Sequence, residues 1–192
     1  MSDREDSGPT LSYPEVRASI RDGDVLCFRG NASLSKLIMK LSGGSFSHTA
    51  IAFWWGQSLM ALQVEVPGVQ VVPVSRAVGS YDGNVEWFAL KEEYRTPERI
   101  DKLRQVAQNS LGDRYSVLDL FLVGLHYAVG TQLPNPNRSS LEFICAHYVA
   151  HCYSTVGLDL APNRAHLATT PEDLARSPLL VRQGVLRAPT AR

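Results

Sequence analysis

The stretch that decides the fold runs from residue 47 to residue 66 and reads SHTAIAFWWGQSLMALQVEV. It contains two runs rich in aromatic and branched side chains, residues 47–55 and 58–66, separated only by Gly56-Gln57. Two such runs with a glycine-containing pair between them are typical of a β-hairpin closed by a two-residue turn. We therefore predict two antiparallel neighbours in a sheet.

The spacing of this hairpin also predicts a pair of polar side chains. If Trp55 and Ser58 flank the turn as partners, counting outward along both strands places His48 directly opposite Glu65. Both side chains would then lie on one face of the sheet. A carboxylate in this position could orient an imidazole that acts as a base. The alternative for Glu65 is an ordinary solvent-facing strand residue, because Leu62, Val64 and Val66 surround it in the strand.

The remainder of the chain supplies strands and helices around the hairpin. Apolar runs at 25–28, 69–74 and 85–90 predict further strands, which gives an antiparallel sheet of about four to six strands. Helical spacing and capping residues predict helices over the following ranges: 13–20, 33–41, 97–112, 116–130, 141–156 and a short one that begins at Thr170-Pro171. The pattern predicts the α+β class.

The helix predicted over 141–156 carries a cysteine near its start. At 100° per residue, one helix face holds Cys145, Tyr148, Val149 and Cys152, so we expect Cys145 to face the protein. A helix N-terminus and a nearby imidazole both favour the thiolate, which is the nucleophilic form of cysteine. Cys145 is thus a candidate nucleophile and His48 its candidate base. On the helix pattern alone, a small buried core residue is the alternative for Cys145.

The other two cysteines have a simpler interpretation. Cys27 lies in an apolar strand and Cys152 lies deep in its helix, so both are expected to be core residues. Three cysteines with no CxxC pair disfavour a disulfide framework.

A zinc site is an alternative for the same helix. His147 and His151 stand four residues apart, which is a metal-ligand spacing, but the Glu of an HExxH motif is absent. Both lie on the helix face opposite Cys145, and we therefore expect neither a metal nor a cofactor.

Composition limits the class of partner. The chain has 192 residues with 44% apolar and 20% charged residues, and 19 basic residues balance 19 acidic ones. This balance gives no reason to expect nucleic acid as a partner. We predict a single domain over 12–187, with a flexible leader at 1–11 and a flexible tail at 188–192.

The sequence offers no membrane-spanning segment. The longest apolar stretch, 117–129, is interrupted by Asp119 and His126 and is shorter than the ~20 residues that a bilayer requires. The N-terminus lacks the basic start and apolar run of a secretory signal, which favours a cytoplasmic location. The oligomeric state is not indicated by any pattern.

Five segments together resemble a known family. They are GDVLCFRG at 23–30, SHTAIAFWW at 47–55, QVEVPGVQVVPV at 63–74, FICAHYVAHCYSTVGLDL at 143–160 and TPEDLARSP at 170–178. Their order resembles the circularly permuted branch of the NlpC-like papain superfamily, which includes YiiX/YebB-like and lecithin:retinol acyltransferase-like proteins. The resemblance covers residues 22 to 178 and implies a papain-like fold in which the histidine strand precedes the cysteine helix.

The resemblance also implies residue roles. The nucleophile of the family falls on Cys145, its base on His48 and its polar third member on Glu65, while Tyr115 matches a tyrosine that helps to hold the active site or the oxyanion. Members often carry Ser after the Cys, where this chain has Ala146, which leaves only a backbone N–H as a donor there. Ser47, Ala146 and Trp54 are the expected substrate-binding residues.

The implied reaction is acyl transfer from an amide or ester through a thioester on the cysteine. Hydrolysis of a peptidoglycan-type peptide is the expected outcome. Two alternatives stay open. A lipid-directed amidase or acyltransferase would be favoured by a deep cleft lined by Trp54, Trp55 and residues 117–129. A non-catalytic binding module would be indicated by Glu65 turned away from His48, or by Cys145 sealed from solvent.

Overall fold

The structure, a computed structural model, describes residues 8–65, 68–113, 145–162 and 169–188. Seven strands lie within these residues: β1 (Thr10–Ser12), β2 (Asp24–Gly30), β3 (His48–Trp55), β4 (Ser58–Glu65), β5 (Gly68–Pro73), β6 (Gly83–Leu90) and β7 (Leu180–Arg187). The helices are α1 (Tyr13–Val16), α2 (Ser33–Ser42), α3 (Val74–Ser80), α4 (Pro97–Asn109), α5 (Cys145–Ser154) and α6 (Pro171–Ala175). The fold is α+β.

The strands form one mixed sheet in the order β1-β7-β6-β2-β3-β4-β5. All neighbours are antiparallel except β1 and β7, which pair in parallel. The sequence predicted four to six antiparallel strands, and the sheet exceeds this because β1 is added beside β7 at one edge. A strand of three residues has too few positions to show an alternating pattern, so the sequence did not predict β1.

The hairpin register predicted from the sequence is confirmed over residues 50–63. Trp55 pairs with Ser58, and the ladder continues without a shift to Ala50 and Gln63. Gly56 adopts a φ of +57° in the turn, a left-handed conformation that glycine accepts without strain.

Each face of the sheet buries its own core. One face packs against α4, α5 and α6, and the cluster there includes Cys27, Ile51, Leu103, Cys145 and Leu174. The opposite face packs against α1 and α3, and the cluster there includes Tyr13, Phe28, Ala52 and Val74. Because successive side chains of a strand point to opposite faces, the strands between these layers read as nearly continuous apolar runs.

The α5 helix is buried more completely than its sequence indicates. Cys145, Tyr148, Val149 and Cys152 are buried as predicted, but His147 and Ala150 on the opposite side are buried as well, and His151 is exposed. A helix that is buried on most of its circumference lies in a core rather than on a surface. The packing of this helix against the sheet on one side and α4 and α6 on others accounts for the difference.

Several helix ends follow the sequence signals. Thr170 and Asp173 form the reciprocal hydrogen bonds of a capping box at the start of α6, and Thr96 accepts a hydrogen bond from the Arg99 N–H at the start of α4. The α3 helix was not predicted, because VSRAVGS contains glycine and branched residues of low helix propensity. The helix expected over 116–130 lies outside the described residues.

The ends of the expected domain can be compared with the structure in part. Thr10 and Leu11, assigned from sequence to a flexible leader, belong to β1. Residues 189–192 of the expected tail lie outside the described residues. Within the described ranges, no helix combines the length and the apolar character that a membrane crossing would need.

Candidate active site

The loop that precedes His48 is fastened at both ends. Gly43 ends α2 with a φ of +63°, and the Ser45 N–H donates to Glu172 Oε2 of α6 at 2.7 Å. The Ser47 N–H donates to the carbonyl oxygen of Phe28 at 2.8 Å. His48 therefore enters β3 from a segment held by α6 on one side and by β2 on the other.

Two side chains hold the His48 ring. Its Nε2 lies 3.0 Å from Gln63 Oε1 on the adjacent strand β4, and the Phe28 ring of β2 packs against it with ring centroids 5.0 Å apart. Because the amide oxygen can only accept, the hydrogen bond requires a proton on Nε2. The other ring nitrogen, Nδ1, is left to face the thiol.

Cys145, the first described residue of α5, brings its sulfur to the His48 ring. The thiol and the imidazole are hydrogen-bonded, and the backbone N–H groups of Thr49 and Ala146 also point at the sulfur. Burial alone would raise the pKa of the Cys145 thiol, but the charge and hydrogen bond of His48 and the two backbone donors lower it below its ordinary value. The side chain retains 8% exposure.

The pKa of the His48 imidazole shifts in the opposite direction. Burial lowers the pKa of His48, but the Cys145 thiolate, the Gln63 hydrogen bond and the charge of Glu65 together raise it above its ordinary value. A lowered thiol pKa and a raised imidazole pKa both favour a thiolate beside an imidazolium. Each of the two shifts increases the share of molecules in which a thiolate lies beside an imidazolium. The arrangement can supply a nucleophile and a proton donor from one pair of side chains.

Glu65 is hydrogen-bonded to Gln70, and a different residue, Gln63, contacts the His48 ring. The ladder of the hairpin ends at Ala50 and Gln63, and Glu65 is an exposed residue whose Oε2 accepts a hydrogen bond from Gln70 Nε2 at 2.8 Å. Gln63, two residues earlier and on the same strand face, is the partner of the His48 ring. Diagonal neighbours across two strands remain within reach of long side chains, so the correct register does not by itself select the opposite residue.

Two other expected site residues, Ser47 and Ala146, adjoin the candidate base and the candidate nucleophile in the chain. Ser47 adjoins His48, but its hydroxyl contacts the backbone of β2, lying 3.2 Å from the Gly30 nitrogen and 3.3 Å from the Phe28 oxygen. Ala146 is fully buried and offers its N–H to the Cys145 sulfur. Tyr115 lies outside the described residues.

Trp54 lies at the other end of β3. It lies six positions after His48, which is about 20 Å along an extended strand. Its indole N–H donates to the Ile20 oxygen at 2.8 Å, and the Arg17 guanidinium lies over its ring. The strand therefore places Trp54 away from the thiol, and its expected role in substrate binding stays a prediction.

Two cavities also lie at that distant end of the sheet. One, of about 480 Å3, is lined by residues that include Arg21, Trp87 and Arg95, and the other, of about 280 Å3, includes Trp54 and Pro97. Both adjoin the start of β2, whereas His48 pairs with its far end. Neither cavity is part of the cysteine site.

The two remaining cysteines are packed in the core, and the two histidines of α5 lie near each other. Cys27 and Cys152 are fully buried, and burial raises the pKa of Cys152 to about 12. The rings of His147 and His151 lie 6.5 Å apart, and the described residues include no group of three or more His, Cys, Asp or Glu side chains that could hold a metal ion.

Sequence reasoning overlooked two residues of this site, Gln63 and Thr49. A signal for Gln63 was present, because it is a polar side chain that shares a strand face with Glu65. Thr49 gave no signal, because threonine is an ordinary strand residue.

The fold has a known counterpart. The structure is similar to the crystal structure of metalloprotein YiiX from Escherichia coli O157:H7 (DUF1105), with a TM-score of 0.63 and 16% identity over 85% of this chain and 96% of that chain. No family model matches the sequence, and no curated protein does. At this identity the similarity shows a common fold.

Proposed function

We propose that this chain is a cysteine hydrolase with a permuted, papain-like arrangement, in which Cys145 is the nucleophile, His48 the base and Gln63 the residue that orients the base. The observation that carries the proposal is the contact of the Cys145 sulfur with the His48 ring, whose Nε2 is held 3.0 Å from Gln63. A nucleophile, a base and an orienting group in one hydrogen-bonded line form the set that acyl transfer requires.

The proposed reaction proceeds in two halves. His48 takes the proton of Cys145, the sulfur attacks the carbonyl carbon, and the carbonyl π electrons move to oxygen. When the intermediate collapses, the C–N bond breaks and the amine leaves with the proton from His48. Water, deprotonated by His48, then attacks the thioester and releases the acid and the thiol.

The proposed substrate is an amide, with a peptidoglycan-type peptide as the first candidate. The lipid alternative predicted a deep cleft lined by Trp54, Trp55 and residues 117–129. The two tryptophans lie at the opposite end of β3 from His48, and residues 117–129 lie outside the described residues. A stem peptide and an N-acyl lipid amide offered to the same protein separate the two, because only the true substrate leaves an acyl group on Cys145 that mass spectrometry detects.

A binding module without turnover is the second candidate. It is favoured by the pairing of Glu65 with Gln70 instead of His48, and by the low exposure of Cys145. The catalytic proposal is preferred because Gln63 provides the orienting contact that Glu65 does not. A zinc site has less support, since the described part of α5 places only His147 and His151 together; metal content of the purified protein tests it.

Alkylation by iodoacetamide across a range of pH tests the proposal without any substrate. We expect Cys145 to react well below the ordinary thiol pKa of about 8.5, and His48→Ala to abolish that advantage. Cys27 and Cys152 serve as internal controls because both are fully buried, and Cys145→Ser identifies the labelled peptide. Equal labelling of all three cysteines, or an unchanged profile in His48→Ala, would contradict the mechanism.

A further inference from the structure

Thr49 occupies a particular place beside the candidate nucleophile. It follows His48 in β3, is 0% exposed, and shares a strand face with Ile51 in the core that contains Cys145. Its backbone N–H points at the Cys145 sulfur. The side chain therefore projects into the layer between the sheet and α5, where the sulfur lies.

The hydroxyl of Thr49 is buried without a hydrogen-bond partner among the described residues. An unpaired hydroxyl in a core destabilises the folded state, and valine, which has the same shape, would fill the position without that loss. A buried polar group left unpaired in this way calls for a reason beyond packing.

We propose that the Thr49 hydroxyl donates a hydrogen bond to the Cys145 sulfur when the sulfur becomes a thiolate. A neutral thiol is a weak acceptor, whereas a charged acceptor forms the stronger, charge-assisted bond. The hydroxyl oxygen is three covalent bonds from the amide nitrogen that already contacts the sulfur, so rotation about χ1 can redirect it with the backbone fixed. The inference rests on the proposed function.

Thr49 acts in this scheme as a neutral donor among charged neighbours. His48 on β3 contacts the Cys145 sulfur directly. Cys27 on β2 pairs with Thr49 across the ladder, and the Cys27 thiol is affected by the charge of Cys145. Glu65 on β4 acts on His48, while Glu172 on α6 and Glu86 on β6 act on Cys27. Removing an uncharged hydroxyl leaves all of these groups in place, so a change in the Cys145 thiol reports on the hydroxyl itself.

Three variants test the inference by alkylation of Cys145 as a function of pH and by thermal melting. In Thr49→Val the thiol pKa should rise by about one unit, which slows alkylation about tenfold below that pKa, while the melting temperature stays the same or rises. Thr49→Ser should restore the reactivity of the wild type. Thr169→Val is the matched control, because it removes another buried hydroxyl that has no hydrogen-bond partner within the described ranges, from a different segment; it should leave the thiol pKa unchanged.

The outcomes separate this inference from the proposed function. If the wild-type thiol ionises at its ordinary pKa, the proposed function and the inference both fall. If the wild type has a lowered pKa and Thr49→Val keeps it, only the role of the hydroxyl is overturned. Should Thr49→Val fail to fold, Thr49→Ala replaces it, and an unchanged thiol pKa in that variant likewise overturns the inference.

Discussion

At the scale of single residues, the candidate site depends on which side chain fixes the imidazole. Gln63 is a neutral amide, so it can accept the Nε2–H of His48 without adding a charge to the buried site. Glu65 is exposed and reaches His48 only through its electric field, which water and salt screen. The two residues therefore make separable contributions.

Gln63→Ala is expected to lower kcat/KM by about a hundredfold, because a misplaced base loses the attack geometry. The pKa of His48 should also fall, since the acceptor that favours its protonated form is gone. In a plot of the alkylation rate against pH, the part that depends on protonated His48 should end at a lower pH than in the wild type. Glu65→Gln is the matched control and should shift the profile less, with an effect that disappears at high salt; equal effects of the two substitutions would contradict the assignment.

At the scale of secondary structure, the loop between α2 and β3 connects α6 to His48, the candidate base. Glu172 binds the Ser45 N–H through one carboxylate oxygen and Arg176 through the other, at 2.7 and 2.9 Å. A Cβ at position 44 would lie 2.5 Å from the Glu172 Cβ, so the loop approaches the helix as closely as glycine allows.

Glu172→Ala is expected to destabilise the protein by about 1–2 kcal/mol, because it leaves the Ser45 N–H without its acceptor. The same change should lower kcat/KM by loosening the entry of His48 into β3. Urea unfolding and steady-state kinetics measure the two effects. Glu172→Gln keeps an accepting oxygen and should recover most of the loss. Arg176→Ala removes only the exposed partner and is the control; a loss as large as that of Glu172→Ala would count against the loop contact.

At the scale of the whole molecule, the end of the sheet remote from His48 is held by buried charge. Asp24 is 0% exposed and accepts hydrogen bonds from Arg95, from the Trp87 indole at 2.8 Å and from the Leu90 N–H at 3.1 Å. These contacts tie the start of β2 to β6 and to the segment that leads into α4. This buried charge cluster and the candidate active site thus lie at opposite ends of the sheet.

Arg95→Met should destabilise the protein by about 3–5 kcal/mol, because it leaves the Asp24 carboxylate buried without its cation. Under conditions in which the variant remains folded, Cys145 should keep its low-pH reactivity, because its contacts are unchanged. Denaturant unfolding and alkylation measure the two properties. Glu92→Gln, which breaks the exposed pair with Arg21 at the same end, should leave the unfolding midpoint unchanged. Loss of thiol reactivity in folded Arg95→Met would show that the two ends are coupled.

The sequence was informative where local spacing decides the structure. The two-residue turn specified the hairpin register, and the capping residues located α4 and α6. It was uninformative where contacts between distant strands and helices determine which side chains meet. Which residue reaches the His48 ring depends on diagonal contacts between strands, and the burial of His147 depends on elements that pack around α5 from distant parts of the chain.

The narrow contact between β1 and β7 has a consequence for solubility. Gly184 adopts a φ of +151°, and a Cβ there would lie 2.2 Å from the Pro9 oxygen, which accepts the Val185 N–H. A single methyl group at this position would push β1 away and bare the hydrogen-bonding groups of β7. An uncovered edge of this kind can pair with strands of other molecules. We therefore expect Gly184→Ala to promote self-association of the protein.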